Sequence, residues 1–103
     1  MHMVVAGFDW DGGNRKKCTK HGVSIRTIEE LFAGEMTVFP DAGHSRVEER
    51  LKAIGKTRAG RHVFVVFTLR KRGDRLLIRP IGARFMHKRE VAHYEKETAK
   101  AEE

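Results

Sequence analysis

RLLIRPIGARFMHKREVAHY, Arg75 to Tyr94, changes its period in the middle. In its first part Leu76, Leu77, Ile78 and Ile81 are strand core. From His87, Val91 and Tyr94 return at i+4 and i+7 on one helical face, with Lys88, Arg89, Glu95 and Lys96 covering the others. A strand therefore runs directly into a helix. Pro80 cannot donate to a ladder, so the strand either lies at an edge or carries a bulge, and Gly82 supports a local irregularity. Arg79 and Arg84 lie along the strand end and Tyr94 on the helix, which would deliver two permanent cations and a phenol to one seam. A guanidinium fork suits phosphate. The same arginines serve equally as solvated rim residues around a core strand.

Working back towards the N-terminus, Arg70-Lys71-Arg72-Gly73-Asp74 is a hairpin tip whose three cations should project into solvent as an arm for backbone phosphate. His62 to Leu69 is apolar on both faces and reads as a central strand. Thr57 to Arg61, with Gly60, is the loop before it. Between Glu48 and Lys56, Leu51 and Ala53 alternate with Arg50 and Lys52, a strand with one wet face until Ile54 breaks the pattern. Met36 to Phe39 is a short strand closed by the turn residues Pro40-Asp41-Ala42-Gly43. Ser24 caps a helix striped by Ile25, Ile28, Leu31 and Phe32, which Gly34 ends. Asp11 caps a polar helix that Gly22 stops, and Val4, Val5, Phe8 and Trp10 form a short extended segment before it.

Helices are expected near residues 12–21, 24–34 and 87–98, with 97–103 fraying as a polar tail. Four of the five strand candidates follow one another from Met36 to Ala83 through short connections. The fold class is therefore α+β, an antiparallel sheet with two N-terminal helices and one C-terminal helix, in a single domain over residues 1–103. Met1-His2-Met3 reads as a cloning remnant.

The chain carries 21 Lys and Arg against 14 Asp and Glu, a net charge of +7 that favours an anionic partner. Cys18 is the one cysteine, which rules out an internal disulfide and makes a reducing cytoplasm the natural home. The longest apolar run, Val63 to Phe67, is far too short to span a membrane. No cofactor loop of the P-loop or dinucleotide type is present. Cys18 and His21 have no second ligand pair to complete a metal site. A Ser45-His44-Asp41 relay is rejected, because neighbours in one loop rarely align for it.

What remains is metal-free acid–base chemistry on RNA, which carries its own nucleophile in the 2′-hydroxyl. The enzyme then supplies a proton acceptor, a donor, and cations for the charge that builds on phosphorus. Glu48, Glu49, His44, His87 and Tyr94 are the candidate proton carriers, and Arg50, Arg79, Arg84 and Lys52 the candidate clamps. Arg70, Lys71, Arg72 and Lys88 join Lys52 as RNA-binding candidates. Taken singly, each reads more simply as a charged residue on a solvated face.

Several short stretches together resemble the BrnT toxins of bacterial type II toxin-antitoxin systems. They are Phe8-Asp9-Trp10-Asp11 with Asn14, Lys20-His21-Gly22-Val23-Ser24, Asp41 with His44-Ser45, Glu49-Arg50, Ala53-Ile54-Gly55, Gly60-Arg61, and Arg79-Pro80-Ile81-Gly82-Ala83-Arg84 with Glu90 and Tyr94. The resemblance implies a fold like that of the RelE and ParE toxins, with helices packed on the sheet, and a ribonuclease that arrests growth. It also implies a cognate ribbon-helix-helix antitoxin, through which alone operator DNA is contacted. By position it points to Arg50, Arg79 and Arg84, and after them Tyr94, as the residues acting on RNA. Many members have Ser where this chain has Gly82. A non-catalytic nucleic-acid- or protein-binding module, a degenerate toxin serving as corepressor, fits the same basic composition. An acidic antitoxin segment is expected to cover the basic sheet face and the edge near Arg79.

Overall fold

The structure is a computed structural model and describes residues 5–41 and 49–101. Its elements are β1 (Gly7–Phe8), α1 (Gly12–Thr19), α2 (Ile25–Ala33), β2 (Met36–Pro40), β3 (Leu51–Lys56), β4 (His62–Arg72), β5 (Arg75–Phe85) and α3 (Lys88–Ala101). The strands form one sheet in the order β1-β5-β4-β3-β2. From β2 to β5 each strand pairs antiparallel with the next, and β4 lies in the middle as its two-sided apolar pattern requires. β1 differs: it runs parallel to β5, with Gly7 opposite Leu77 and Phe8 opposite Ile78. The sheet is therefore mixed, not purely antiparallel. The helices α1 and α2 carry the chain from β1 across to the far edge, and the returning meander brings β5 alongside β1 in the same direction. No turn signal joins those two strands, so the sequence holds no local cue to their pairing.

β5 lies between β1 and β4, but β1 pairs only with Leu77 and Ile78, so Pro80 falls just past the end of that pairing and beside a bulge, and both expectations meet at it. Val66 pairs with Gly82 and Phe67 with Pro80, leaving Ile81 as the extra residue. Ile54 continues β3 and is buried, so the alternation there does not stop the strand. At the tip the turn is only Gly73-Asp74, and Gly73 takes the left-handed conformation, φ +66°, that such a turn favours.

Strand alternation places Val63, Val65, Phe67, Ala53, Ile78 and Ala83 on one face. There they are buried together with Cys18 of α1, Val23, and Ile28 and Leu31 of α2. Phe32 meets the rings of Phe8 and Phe67 edge-on, with centroids 5.7 and 5.0 Å away. Gly55 lies directly beneath α2: a β-carbon there would come within 2.9 Å of Leu31 Cδ2.

α3 lies on the opposite face, and no described residue of it belongs to either buried cluster. The expected helices packed on the sheet are thus divided between its two faces. α3 runs to Ala101, three residues past the expected end of the helix, and Thr98 Oγ1 donates to the Tyr94 carbonyl at 2.8 Å.

Candidate nucleic-acid interface

On the face away from α1 and α2, the register sets polar residues in cross-strand rows. Lys52, Val66 and Gly82 make one row. In the next, Thr68 stands opposite Arg79, and Arg50, just before the Leu51–Phe67 pair, falls beside Thr68. Both ends of this row terminate in a carboxylate. At one, Asp41 donates its N–H to the Arg50 carbonyl at 2.9 Å, and its buried side chain lies 3.7 Å from Arg50 Nε and 3.4 Å from Lys52 Nζ. At the other, Asp9 donates to the Ile78 carbonyl at 2.8 Å, and its carboxylate lies 3.6 Å from Arg79 and 3.2 Å from Arg72. The row therefore reads Asp41, Arg50, Thr68, Arg79, Asp9 across all the strands.

Neighbouring strands are about 4.8 Å apart, so the Arg50 and Arg79 backbones stand roughly 10 Å from each other, a span their side chains bridge from either side. Thr68 between them is 2% exposed, and its hydroxyl has no hydrogen-bond partner among the described residues. Such a buried group is uncommon, because leaving it unmade costs about 1–3 kcal/mol. The floor of the row thus has hydrogen-bonding capacity in hand.

Arg79 is aimed by the start of α1. Its NH2 lies 2.8 Å from Asp11 Oδ2. Asp11 is also the N-cap: its Oδ1 accepts the Asn14 N–H at 3.0 Å while Asn14 Oδ1 accepts the Asp11 N–H at 2.7 Å. The buried Asn14 then donates from Nδ2 to the carbonyls of Asp9 and Pro80, each at 2.9 Å. The Asn14 N–H, and after it Arg79, hold the Asp11 carboxyl below its ordinary range. Sequence reading found the cap but not this second use. Asp-x-x-Asn announces a capping box, whereas the bonds to Pro80 and Arg79 cross more than sixty residues.

Arg84 and Tyr94 are elsewhere. Along β5, Arg84 is roughly 15 Å from Arg79 by strand rise. Both of its terminal nitrogens donate to Glu90, at 2.8 Å each, and Glu90 also accepts the His87 N–H at 2.9 Å. Arg84 foremost, and then that N–H, lower the Glu90 carboxyl to about 2. The Tyr94 hydroxyl is 2.6 Å from Thr37 Oγ1, and its ring meets His62 edge-on. These residues fasten α3 over a cleft of about 920 Å³ lined by Phe39, Ile54, Phe64 and His93. The single seam expected from the sequence is thus two places.

Of the remaining candidates, Glu49 is exposed just ahead of β3, and Lys88 is exposed in the first turn of α3. Arg70 is half-buried on the open face opposite Leu77, and Arg72 bends to Asp9, so Lys71 alone of the tip cations keeps the expected free projection. His44, Ser45 and Glu48 lie outside the described residues. Cys18 is in the core, where burial raises its thiol to about 11, and His21 is exposed at the helix end. Among the described residues no three His, Cys, Asp or Glu side chains gather as metal ligands, and no helix is long and apolar enough to cross a membrane.

The structure is thus an α+β fold with cations lined up across one face of its sheet. The chain matches the family model of BrnT, the ribonuclease toxin of type II toxin-antitoxin systems, over residues 10–90, and it belongs to that family. The family acts on RNA and is paired with an antitoxin protein. No curated protein matches the chain.

Proposed function

We propose that this protein is an endoribonuclease that cleaves RNA on its open sheet face without a metal ion, and that Arg50 and Arg79 hold the scissile phosphate. The observation that carries this reading is the Arg50–Thr68–Arg79 row, two guanidinium-bearing positions on either side of an unpartnered hydroxyl. RNA's 2′-hydroxyl attacks phosphorus as a base removes its proton. The P–O5′ bond breaks as an acid protonates the leaving oxygen, giving a 2′,3′-cyclic phosphate and a 5′-hydroxyl. The arginines stabilise the equatorial oxygens while charge builds, and removing one such donor typically costs about 10²- to 10³-fold in rate. Glu49, the residue before Arg50, is the described proton carrier adjoining the row, and His44 is the second candidate. Lys52 and Arg70 extend the cationic surface beside it, with Lys71, Arg72 and Lys88 giving weaker contacts to the RNA backbone. Arg84 and Tyr94 act indirectly, by holding α3. The resemblance also supports a ribbon-helix-helix antitoxin as the neutralising partner, with operator DNA reached only through it.

The test is cleavage of total RNA by the purified protein in EDTA, together with growth after induced expression. Cleavage with cyclic-phosphate ends and growth arrest are expected. EDTA-sensitive cleavage would overturn the metal-free mechanism. Absence of both cleavage and arrest, with operator repression retained alongside the antitoxin, would establish the non-catalytic corepressor instead.

A further inference from the structure

The two edges of the sheet are closed differently. Beside β5, pairing with β1 is extended by Ala6 and Asp9, whose N–H groups donate to the Leu76 and Ile78 carbonyls, each at 2.8 Å. The edge near Arg79, where a partner was expected, is thus occupied by the chain's own N-terminal segment. The opposite edge is β2, which pairs with β3 along Met36 to Pro40 and meets no other strand among the described residues. Exposed edges are usually blunted by charge, bulges or proline, because unpaired backbone groups invite another strand. β2 reads Met-Thr-Val-Phe-Pro and carries no charge, with Pro40 only at its end.

Each face of this edge presents an apolar side chain. On the α2 side Val38 is 44% exposed, the one large hydrophobic residue so exposed among those described. On the other side Thr37 and Phe39 share a face with Ile54, and Phe39 lines the apolar cleft beneath α3. The edge thus offers backbone donors and acceptors between apolar side chains, the arrangement that strand addition exploits.

We infer that β2 is the docking strand for the antitoxin, a segment of which pairs with it as an added strand. One set of the segment's alternate side chains covers Val38, and the other enters the cleft beside Phe39 and Tyr94. The charges beside the edge are matched locally. Lys52 lies opposite Phe39 with Asp41 3.4 Å from its ammonium, and Lys56 follows the Gly55–Met36 pair, with Glu35 at the strand's entry. Apolar side chains at alternate positions fit this setting, and the net charge of +7 favours an acidic partner. A second copy of the chain fits poorly, since each carries a net +7. Docking rests on family membership alone; that it also silences the enzyme rests on the proposed RNA row, since Asp41 directly follows β2 and holds Arg50 and Lys52.

The experiment is hydrogen exchange on the protein alone and with the antitoxin encoded beside it, together with affinity measurements on Val38→Lys. Slower exchange along β2 is expected on binding, as is a loss of about 10-fold or more in affinity for Val38→Lys, with RNA cleavage by the free variant unchanged. Unchanged exchange along β2, or wild-type affinity for a folded Val38→Lys, would overturn the inference. So would a free protein that dimerises through β2. If Val38→Lys does not fold, the exchange comparison on the unaltered chain decides alone. Absence of cleavage by the free, unaltered protein would count against the RNA row and leave the docking result standing.

Discussion

One sheet has two faces, and they are held by different forces. Beneath α1 and α2 the contacts are chiefly apolar, with Val23, Ile28, Val63, Val65 and Phe67 almost wholly buried. On the opposite face, outside the apolar cleft beneath α3, they are ionic or hydrogen-bonded: Arg84 with Glu90, Thr37 with Tyr94, and, in the separate row, Asp41 with Arg50 and Lys52. Packed interiors resist changes of even one methylene. Partly exposed ion pairs are individually worth about 0–1 kcal/mol and exchange partners readily. The first face is therefore suited to fixing the fold and the second to meeting a charged ligand. Single strands serve both, since β4 points Val63, Val65 and Phe67 one way and Phe64, Thr68 and Arg70 the other.

The sharpest way to break this contrast is on the packed face. Phe67→Ala should destabilise the protein by about 3–5 kcal/mol in denaturant unfolding. Gly55→Ala should cost about 1–3 kcal/mol, because the new methyl meets Leu31 at 2.9 Å and Met36 at 3.3 Å. A neutral Gly55→Ala would mean that α2 sits less tightly than described.

How far each face was legible follows from the range of its signals. The apolar stripes of α2 and β4, the caps at Asp11 and Ser24, and the turn at Gly73 are local patterns, and each appeared where its residues indicated. Parallel pairing of β1 with β5 brings together segments about seventy residues apart with no shared turn chemistry, so nothing local announced it. The site was legible as a set of residue types but not as an arrangement. Arg79 and Arg84 look equivalent in sequence, yet the bulge and the start of α3 give one of them Asp9 and Asp11 and the other Glu90. Thr68 went unread because a threonine in an apolar strand has no distinguishing spacing.

Smaller effects sharpen the open face. Asp11→Ala should cost about 1 kcal/mol through loss of the helix cap, whereas Asp11→Ser keeps a capping oxygen and should cost little. Both variants leave Arg79 with Asp9 but remove the Asp11 carboxylate that aims it, so RNA cleavage should fall in both, and activity that follows stability alone would mean Asp11 is only a cap. Acid should loosen α3 before the core. The folded carboxyl of Glu90 is depressed from 4.5 to about 2, so its contribution is complete above about 4.5 and is lost as pH falls through about 2. Hydrogen exchange of α3 should accelerate across that window, and Glu90→Gln should show fast exchange at every pH. Gly82→Ser should have the smallest effect, because a β-carbon there meets nothing within 4 Å. Its melting temperature should stay within a few degrees of the unaltered protein.

The most direct measurement is the single-turnover rate of RNA cleavage by Arg79→Ala and Arg84→Ala, each first shown by circular dichroism to be folded. Arg79→Ala should lose about 10²- to 10³-fold, with Arg79→Lys recovering little because an ammonium cannot form the two-pronged contact. Arg84→Ala should lose less, in step with the loosening of α3. Wild-type cleavage by Arg79→Ala, or a larger loss from Arg84→Ala, would contradict an active row at Arg50, Thr68 and Arg79.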